Sequence, residues 1–287
     1  MGIISKIRDK LSYTKVAPMN YTQELSDAYN GVSVVNGEHK GHTVAVTGAT
    51  GGIGFAIAKR FVLEGSNVIL IGRNSEKLEI AKQTLLALGR NVKVDATPMD
   101  MLSYDDVVSK TKSLLDKSLI DVWVNCAGIL KKKDRHPAFR SYPKKDILDV
   151  LNTNLKSCYV ITKLIADEVK DSSSKCTIVN ISSICGYSKK HGYTGYGMSK
   201  AGAIKMTKVL AQQYADQNLS IVSIAPGSVA TNMGDRHFGD NIGVNGSAIT
   251  KHISMSEEIA ALTAFVSGRM SSVLSGETII ASADEVL

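Results

Sequence analysis

The stretch TGATGGIG at residues 47–54 decides the fold because of what lies on either side of it. It follows a short β-rich run, TVAVT at 43–47, and opens an apolar-periodic stretch that continues to Glu64. N–H groups at a helix N-terminus attract phosphate, and glycines let a phosphate approach the backbone closely. A glycine cluster between a strand and a helix therefore predicts a pyrophosphate-binding turn, with a purely structural turn as the alternative.

The remainder of the chain continues the alternation of strand and helix. The strands are uninterrupted apolar runs, as in a sheet covered on both faces, and the alternation requires crossover connections and a parallel sheet. We predict an α/β fold, a doubly wound parallel sheet of the Rossmann type, as a single domain over residues 41–287 after an N-terminal extension at 1–40. The later strands are predicted at 67–71, 92–95, 120–124, 176–181, 219–224 and 277–281, and the later helices at 75–88, 104–117, 144–169, 194–217 and 256–268.

The end of the second predicted strand indicates which dinucleotide binds. A site for NAD usually places Asp or Glu there, where it holds the ribose 2′-hydroxyl. Here the sequence is IGRNS at 71–75, so Arg73 and Asn74 lie at the strand end and no acid does. The Arg73 guanidinium can pair with a 2′-phosphate through charge-assisted hydrogen bonds. We therefore predict NADP(H) rather than NAD(H); the alternative is that Arg73 only lies on the surface.

Composition excludes several other classes of protein. The chain has 287 residues, of which 44% are hydrophobic and 21% charged, so wholesale disorder is excluded. No apolar run reaches the roughly 18 residues that a membrane span needs. The net charge of +7 suits phosphate-bearing small molecules as well as nucleic acid. Because no basic run is interleaved with stacking aromatic residues, we expect no nucleic-acid partner.

The cysteines and the first residues of the chain indicate the cellular compartment of the protein. The four cysteines form no CxxC pair, so neither a disulfide framework nor a metal site is expected. The start, MGIISKIRDK, lacks the long apolar stretch and the cleavage site of a secretory signal. These features predict a reducing, cytoplasmic setting. The cysteines are Cys126, Cys158, Cys176 and Cys185.

Five short motifs follow one another along the chain. They are TGxxxGxG at 47–54, NCAG at 125–128, Ser183 within ISS, YGMSK at 196–200 and PG at 226–227. In this order and spacing they resemble the short-chain dehydrogenase/reductase family, over residues 41–281. The resemblance implies one Rossmann-type domain, a nicotinamide cofactor and a homodimer or homotetramer. The IGRNS turn is similar to that of NADP-preferring members.

The resemblance also implies which residues bind the cofactor. The glycine turn would line the pyrophosphate, residues after the third strand would flank the adenine, and residues after the fourth would border the ribose. The YGMSK motif would lie beside the nicotinamide ribose, and residues after the sixth strand would contact the carboxamide and a phosphate. The full set is Gly48, Thr50, Gly51, Gly52, Ile53, Gly54, Arg73, Asn74, Asp100, Met101, Asn125, Ala127, Gly128, Tyr196, Lys200, Pro226, Gly227, Val229 and Thr231.

Three features depart from the family pattern. Cys126 stands where the family often has a second Asn, and because cysteine is small we expect little loss. ASAD at 281–284 replaces the family's C-terminal AspGlyGly, which bears on subunit contacts more than on the chemistry. The extension at 1–40 is unusual, and we expect it to pack on the domain or on a neighbouring subunit; the alternative is a helix that lies on a membrane surface.

Four polar residues supply what hydride transfer to a carbonyl needs. Tyr196 suits the acid that protonates the forming alkoxide, although a free tyrosine has a pKa of about 10. Lys200, one helical turn later on the same face, favours the phenolate and so lowers that pKa. Ser183, at the end of the fifth strand, would donate a hydrogen bond to the substrate oxygen. Asn154 would bind a water that relays protons to Lys200; the alternative is an asparagine that caps or kinks the helix.

Two segments border the expected substrate site. The basic segment 129–145 attracts a carboxylate, a phosphate or an acidic carrier protein, unless it is simply a solvated loop. The Gly/Asn-rich segment 228–250 is expected to form a lid that excludes water. The basic side chains are Lys131, Lys132, Lys133, Arg135 and His136, and the candidate pocket walls are His191, Tyr193 and Phe238.

The fold alone leaves the substrate open. The first hypothesis is an NADP(H)-dependent oxidoreductase for a carbonyl or secondary alcohol, similar to 3-oxoacyl-carrier-protein reductases. The alternative enzyme is a sugar-acid or polyol dehydrogenase, because AGILK at 127–131 looks like the corresponding stretch of gluconate-type dehydrogenases. A hypothesis of another class is a non-catalytic NADP(H) sensor. Loss of Ser183, Tyr196 or Lys200 would have favoured the sensor, and all three are present.

Overall fold

The computed structural model describes residues 37–131, 143–170, 173–187, 193–229, 231 and 254–282. Several predictions lie outside these ranges: the first 36 residues of the extension, most of the basic segment and of the lid, and the pocket walls His191 and Phe238. Within the described ranges, no helix is both long and apolar enough to cross a membrane.

Seven parallel strands form one sheet. They are β1 Thr43–Thr47, β2 Asn67–Gly72, β3 Val94–Pro98, β4 Val122–Asn125, β5 Cys176–Ile181, β6 Leu219–Pro226 and β7 Thr278–Ala281. Their order is β3-β2-β1-β4-β5-β6-β7, so the chain winds outward from β1 and then crosses back to β4 on its other side. The crevice outside the carboxyl ends of β1 and β4 is where sheets of this type bind ligands. The predicted doubly wound parallel sheet is confirmed.

Helices cover both faces of the sheet. They are α1 Gly52–Glu64, α2 Ser75–Leu86, α3 Tyr104–Lys117, α4 Lys144–Leu151, α5 Ser157–Val169, α6 Thr194–Gln213 and α7 Ser256–Ser267. A π-helical turn at Asn152–Lys156 joins α4 to α5, and a 3₁₀ turn at Ile184–Gly186 follows β5. Every helix therefore connects strands of one sheet, and the described residues form a single domain.

Both faces of the sheet are buried, which explains the uninterrupted apolar runs. Because successive side chains of a strand point to opposite faces, Val44 and Val46 pack in one core and Ala45 packs in the other. Trp123 of β4 is fully buried in the second core. Burial of a large aliphatic side chain contributes roughly 1.5–3 kcal/mol, so the sheet is a stable base for side chains at its carboxyl edge.

Most predicted elements differ from the structure by a few residues at their ends, and two of the differences have a clear physical reason. β3 runs over Val94–Pro98 rather than 92–95, because its pairing with β2 continues to Pro98. It is an edge strand, where a proline is tolerated. The predicted helix 144–169 is interrupted by the π-helical turn at Asn152–Lys156. Such turns are rare and often lie at functional sites.

The last residues of the predicted N-terminal extension lie against the domain. His39 is buried, and its Nε2 donates a hydrogen bond of 2.9 Å to the carbonyl oxygen of Ala264 in α7. Its ring packs edge-on against Phe61 of α1, with centroids 5.0 Å apart. Ser66 Oγ donates to the carbonyl oxygen of His39 over 2.7 Å. The end of the extension thus packs with α1 and α7, while its boundary with the domain stays a prediction.

Candidate active site

Glycines shape the turn between β1 and α1. Gly48 has a φ of +70°, and a Cβ there would lie 2.9 Å from the Cα of Ala127. The backbone conformation and the close approach of the loop after β4 both require glycine at this position. A Cβ on Gly54 would overlap the carbonyl oxygen of Gly48, so α1 begins directly against the turn. The turn also holds the predicted residues Thr50, Gly51, Gly52 and Ile53.

The N-terminus of α1 fits an anionic group. Its first-turn N–H groups have no acceptor within the helix, and its N-cap, Gly51, supplies no side-chain cap. A Cβ on Gly52 would lie 2.7 Å from Cγ2 of Thr231, so these two predicted cofactor residues, which are far apart in the sequence, come together. A pyrophosphate suits this terminus, because the N–H groups and the helix dipole attract it and glycine admits it.

The end of β2 presents Arg73 to solvent. Gly72 is buried, and a Cβ there would lie 3.5 Å from Leu78. Arg73 is exposed and forms no ion pair with any residue that the structure describes. Asn74 is the N-cap of α2, since its Oδ1 accepts a hydrogen bond of 2.8 Å from the N–H of Lys77. Asn74 therefore starts the helix, and Arg73 is the exposed cation at the strand end.

The predicted adenine-side residues follow β3. Asp100 Oδ1 accepts a hydrogen bond of 3.1 Å from the N–H of Leu102, and the N–H of Asp100 donates to Asp106 Oδ2 of α3 over 2.7 Å. Met101 is buried in the second core. These contacts fix the turn at the same edge of the sheet as Arg73, and contact with an adenine stays a prediction.

The loop after β4 is held from β1 and borders the candidate catalytic residues. Thr47 Oγ1 accepts hydrogen bonds of 3.0 Å from both N–H groups of residues 126–127. A Cβ on Gly128 would lie 3.5 Å from Asn154 Oδ1 and 3.5 Å from Lys200 Nζ. Three residues that the sequence marked separately, at 128, 154 and 200, are therefore brought together here.

Asn154 lies in the π-helical turn and is buried. Its Oδ1 accepts from the N–H of Ile129 over 2.8 Å, and its Nδ2 donates to the carbonyl oxygen of Ile129 over 3.0 Å and to Ser199 Oγ over 3.1 Å. Ser199 Oγ in turn donates to the carbonyl oxygen of Tyr196 over 2.7 Å. The Asn154 side chain thus ties the loop after β4 to α6. The water relay to Lys200 stays a prediction.

Ser183 follows β5 and is 8% exposed. It is the N-cap of the 3₁₀ turn, and its Oγ accepts a hydrogen bond of 3.2 Å from the N–H of Cys185. That bond uses an oxygen lone pair and leaves the O–H hydrogen for another acceptor. A Cβ on Gly186 would lie 2.9 Å from the backbone nitrogen of Ala201, so the turn packs tightly on α6. Ser183 is thereby held beside α6.

Tyr196 and Lys200 lie one turn apart on α6, as their spacing predicts. Lys200 Nζ is 5.6 Å from the centroid of the Tyr196 ring. It also donates a hydrogen bond of 2.8 Å to the carbonyl oxygen of Ile181, at the end of β5. Lys200 is buried and Tyr196 half-buried, so the ammonium group lies on the protein side of the phenol ring.

Burial controls the ionisation of this cluster. Desolvation lowers the pKa of Lys200 below its usual 10.5, an effect that the nearby thiols Cys158, Cys126 and Cys185 oppose. Burial also raises the pKa of Cys126 to about 12 and raises that of Cys158. These two thiols therefore stay protonated and unreactive near neutral pH. No cluster of metal-ligating side chains occurs in the described ranges.

The chain after β6 packs against β7 and reaches the N-terminus of α1 at Thr231. Pro226 ends β6, and the N–H of Gly227 donates 2.9 Å to the carbonyl oxygen of Ala281 in β7. A Cβ on Gly227 would lie 2.8 Å from the backbone that follows β7, so this close approach requires glycine. Val229 is buried and forms an isolated parallel bridge with Ser254. These contacts lead the chain toward its contact with α1.

Sequence reasoning missed a buried polar network beneath the site. Asn125 Oδ1 accepts from Trp123 Nε1 over 3.1 Å, and Asn125 Nδ2 donates to Asn180 Oδ1 over 2.9 Å. Asn180 Nδ2 donates to Thr207 Oγ1 of α6 over 2.9 Å, and that hydroxyl donates to the carbonyl oxygen of Ala203. The network ties β4 and β5 to α6. The one signal in the sequence was an asparagine within the apolar run of β5.

Of the five basic side chains predicted in the segment 129–145 to attract a substrate, the structure describes Lys131, which is paired within the chain. Lys131 Nζ lies 2.9 Å from Asp149 Oδ2 and 3.6 Å from Asp146 Oδ1 of α4. The hydrogen bond with Asp149 raises the pKa of Lys131 above its usual 10.5. Its charge is therefore matched by α4. Tyr193, the remaining described pocket-wall candidate, is the N-cap of α6.

Comparison with known proteins identifies the family. The family model described as short chain dehydrogenase matches residues 42–241. The chain belongs to the short-chain dehydrogenase family. Members are oxidoreductases with a nicotinamide cofactor, so the enzyme is an oxidoreductase that acts on carbonyl or hydroxyl groups of small molecules. The predicted family and enzyme class are confirmed.

Similar proteins cover nearly the whole domain. The enzyme is 35% identical to the 3-oxoacyl-[acyl-carrier-protein] reductase FabG of Chlamydia trachomatis serovar D over 245 residues, which are 83% of this chain and 94% of that protein. It is 33% identical to the acetoacetyl-CoA reductase of Cupriavidus necator, over 80% of this chain and 92% of that one. A crystal structure of actinorhodin polyketide ketoreductase with NADPH matches with a TM-score of 0.75 and 25% identity, over 85% of this chain and 97% of that one.

Proposed function

We propose that the enzyme uses NADPH to reduce the 3-oxo group of an acyl thioester to a secondary alcohol. The observation that carries this proposal is the half-buried phenol of Tyr196 beside the buried ammonium group of Lys200, 5.6 Å from ring centroid to Nζ. Gly128 lies next to that ammonium group, and Ser183 precedes the 3₁₀ turn that packs against the same helix. All of these residues follow central strands, at the edge where such sheets bind ligands.

The reaction adds one hydride and one proton to the carbonyl group. Bound NADPH supplies the hydride. Ser183 holds the carbonyl oxygen with its O–H group, which stabilises the negative charge that develops there. Tyr196 gives its phenolic proton to that oxygen, and the Lys200 ammonium group stabilises the phenolate that remains. A proton from solvent restores the phenol after the alcohol forms.

The preference for NADPH over NADH rests on Arg73. Its guanidinium is exposed at the end of β2 and has no carboxylate partner among the described residues. Asn74 starts α2 directly after it, so a 2′-phosphate would meet both the guanidinium and a helix N-terminus. The similar polyketide ketoreductase, whose structure was determined with NADPH, also supports this preference.

The choice of a 3-oxoacyl thioester rests on the relatives. The reductases at 35% and 33% identity are named for a 3-oxoacyl-carrier-protein and for acetoacetyl-CoA, which are both thioesters with a 3-oxo group. Both relatives align over more than nine-tenths of their own length. The alignments leave out less than a tenth of either relative, which supports a substrate of the same class.

NADPH oxidation with a panel of substrates tests the function. The carbonyl compounds tested with NADPH are acetoacetyl-CoA, simple ketones, keto acids and keto sugar acids. Polyols are tested in the opposite direction, with NADP⁺. Fastest turnover with acetoacetyl-CoA supports the proposal. Faster turnover of a sugar acid or polyol would replace it with the sugar-dehydrogenase alternative. Binding of NADPH without turnover of any compound would favour a sensor.

We also propose that the enzyme is a cytoplasmic homodimer or homotetramer. Exposed apolar side chains often mark subunit interfaces, and several lie on α5, α6, α7 and β7. All four cysteines are free thiols, which suits a reducing compartment. Light scattering of the purified enzyme tests the assembly, and a monomer mass would contradict it. The exposed apolar residues are Tyr159, Met198, Val209, Phe265 and Ile280.

A further inference from the structure

Ser256 carries a buried hydroxyl that has no hydrogen-bond partner among the residues that the structure describes. The residue is 0% exposed, and its Oγ makes no hydrogen bond with any of them. It is the first residue of α7, directly after the N-cap Met255. Burying a hydroxyl without a partner costs free energy, so its retention at this position needs a physical reason.

The position of Ser256 in α7 explains why the helix itself cannot satisfy the hydroxyl. Deeper in α7, Ser267 Oγ donates to the carbonyl oxygen of Thr263, four residues earlier, over 2.8 Å. Ser256 is the first residue of α7, so no earlier turn of that helix supplies such a carbonyl. The N-terminus of α7 is already capped by Glu258, whose Oε2 accepts from the N–H of Met255 over 2.8 Å. Capping therefore does not account for Ser256.

The hydroxyl lies beside the first residue of α1. Ser256 Oγ lies 3.4 Å from the point that a Cβ of Gly52 would occupy, and Gly52 is the first residue of α1. Both helices follow strands of a parallel sheet, so both begin at its carboxyl edge and their positive dipole ends lie side by side. The α1 N-terminus has no carboxylate in its first turn and no side-chain cap, so it fits an anion, and the Ser256 hydroxyl beside it adds a donor.

We propose that Ser256 donates a hydrogen bond to the pyrophosphate of the nicotinamide dinucleotide. This inference rests on the proposed function, because it requires the dinucleotide to bind at the turn between β1 and α1. It adds α7 to the elements that hold the cofactor, through a residue outside all the sequence motifs. The cost of the unpaired hydroxyl in the free enzyme is relieved when the pyrophosphate accepts its hydrogen.

Fluorescence titration with NADPH tests the inference on Ser256→Ala. The matched control is Ser267→Ala, which removes a buried hydroxyl from the same helix far from the turn. A hydrogen bond to a charged acceptor is strong, so the dissociation constant of Ser256→Ala should rise about tenfold. That of Ser267→Ala should stay unchanged. Competition by adenosine 2′-monophosphate, which lacks the pyrophosphate, should be the same in both variants and in the wild type.

Melting temperatures without ligand separate a cofactor contact from a structural role. Ser256→Ala should melt at or above the wild-type temperature, because it removes an unsatisfied hydroxyl. Ser267→Ala should melt below it, because it loses a satisfied hydrogen bond to Thr263. The two variants thus have opposite effects on stability and on NADPH binding.

Three results would overturn the inference and leave the proposed function intact. They are an unchanged dissociation constant for NADPH in Ser256→Ala, an equal weakening of NADPH and of adenosine 2′-monophosphate, and a lowered melting temperature with unchanged binding. Failure of the wild-type enzyme to bind NADPH or NADH would instead overturn the proposed function, and the inference with it.

Discussion

Lys200 Nζ lies 5.6 Å from the centroid of the Tyr196 ring, and the two residues are one turn apart on α6. The carbonyl oxygen of Ile181 accepts a hydrogen bond of 2.8 Å from the same Nζ, so the end of β5 holds the ammonium group. Asn180 and Asn154 tie α6 to β5 and to the loop after β4. The sheet and its helices therefore position Tyr196 and Lys200. Side chains held in this way have a more precise geometry than side chains placed on a loop.

Stability should depend on pH through Lys200. Burial lowers the pKa of Lys200 below its usual 10.5, so between the two values the unfolded chain binds more protons at this site than the folded chain. The free energy of unfolding should therefore rise with pH across that window, and lose this contribution as pH falls through it. Urea denaturation at several pH values should give a steeper rise for the wild type than for Lys200→Met. The same dependence of the free energy of unfolding on pH in both proteins would contradict the lowered pKa of Lys200.

Arg73 should discriminate between the two nicotinamide dinucleotides. Arg73→Ala removes a charge-assisted contact with the 2′-phosphate, so the dissociation constant for NADPH should rise about 10- to 100-fold. NADH has no 2′-phosphate, and its binding should not change. Titration of both dinucleotides by fluorescence measures the ratio directly.

The matched control for this prediction is Arg90→Ala. Arg90 is also exposed and lies beyond the far end of α2, so its removal changes the net charge equally. Its NADPH affinity should match the wild type. Equal weakening of NADPH and NADH in Arg73→Ala, or equal effects of the two substitutions, would remove Arg73 from the cofactor site.

Asn154 should stabilise the junction between the loop after β4 and α6. Asn154→Ala removes the side-chain partner of the Ile129 backbone and of the buried Ser199 hydroxyl, which should lower the free energy of unfolding by about 1–3 kcal/mol. Asn152→Ala, in the same π-helical turn but without a side-chain hydrogen bond among those described, should have little effect. Urea denaturation of both variants checks the difference. Equal stabilities would show that the bonds to Ile129 contribute nothing.

The fold could be predicted because its strands are buried on both faces. Runs such as NVILI at 67–71 and CTIVNI at 176–181 read as strands whatever surrounds them, and the order of elements fixes a parallel sheet. The bounds predicted for β3 were wrong because its residues are partly exposed, so they form no clear apolar run. Its ends depend on pairing with β2, which is a tertiary contact. The π-helical turn was missed because its residues keep a helical pattern of polarity.

The site could be predicted where a local motif carries the chemistry. The glycine turn and the pair on α6 are short-range patterns, and the structure brings Gly128, Asn154 and Lys200 together. The network through Asn180 was missed because it joins residues far apart in the chain, and no local pattern marks such partners. Ser256 could not be predicted as a candidate for the same reason, because its proposed role depends on its position beside α1, which is far away in the sequence.

The central claim is that Tyr196 protonates the substrate oxygen while Lys200 stabilises the phenolate. Tyr196→Phe keeps the ring beside Lys200 and removes only the proton donor. The most direct measurement is the single-turnover rate of NADPH oxidation by acetoacetyl-CoA, with wild type and Tyr196→Phe both saturated with NADPH. The account predicts a rate lowered about 10²- to 10⁴-fold with the NADPH dissociation constant unchanged. A rate equal to that of the wild type would contradict it.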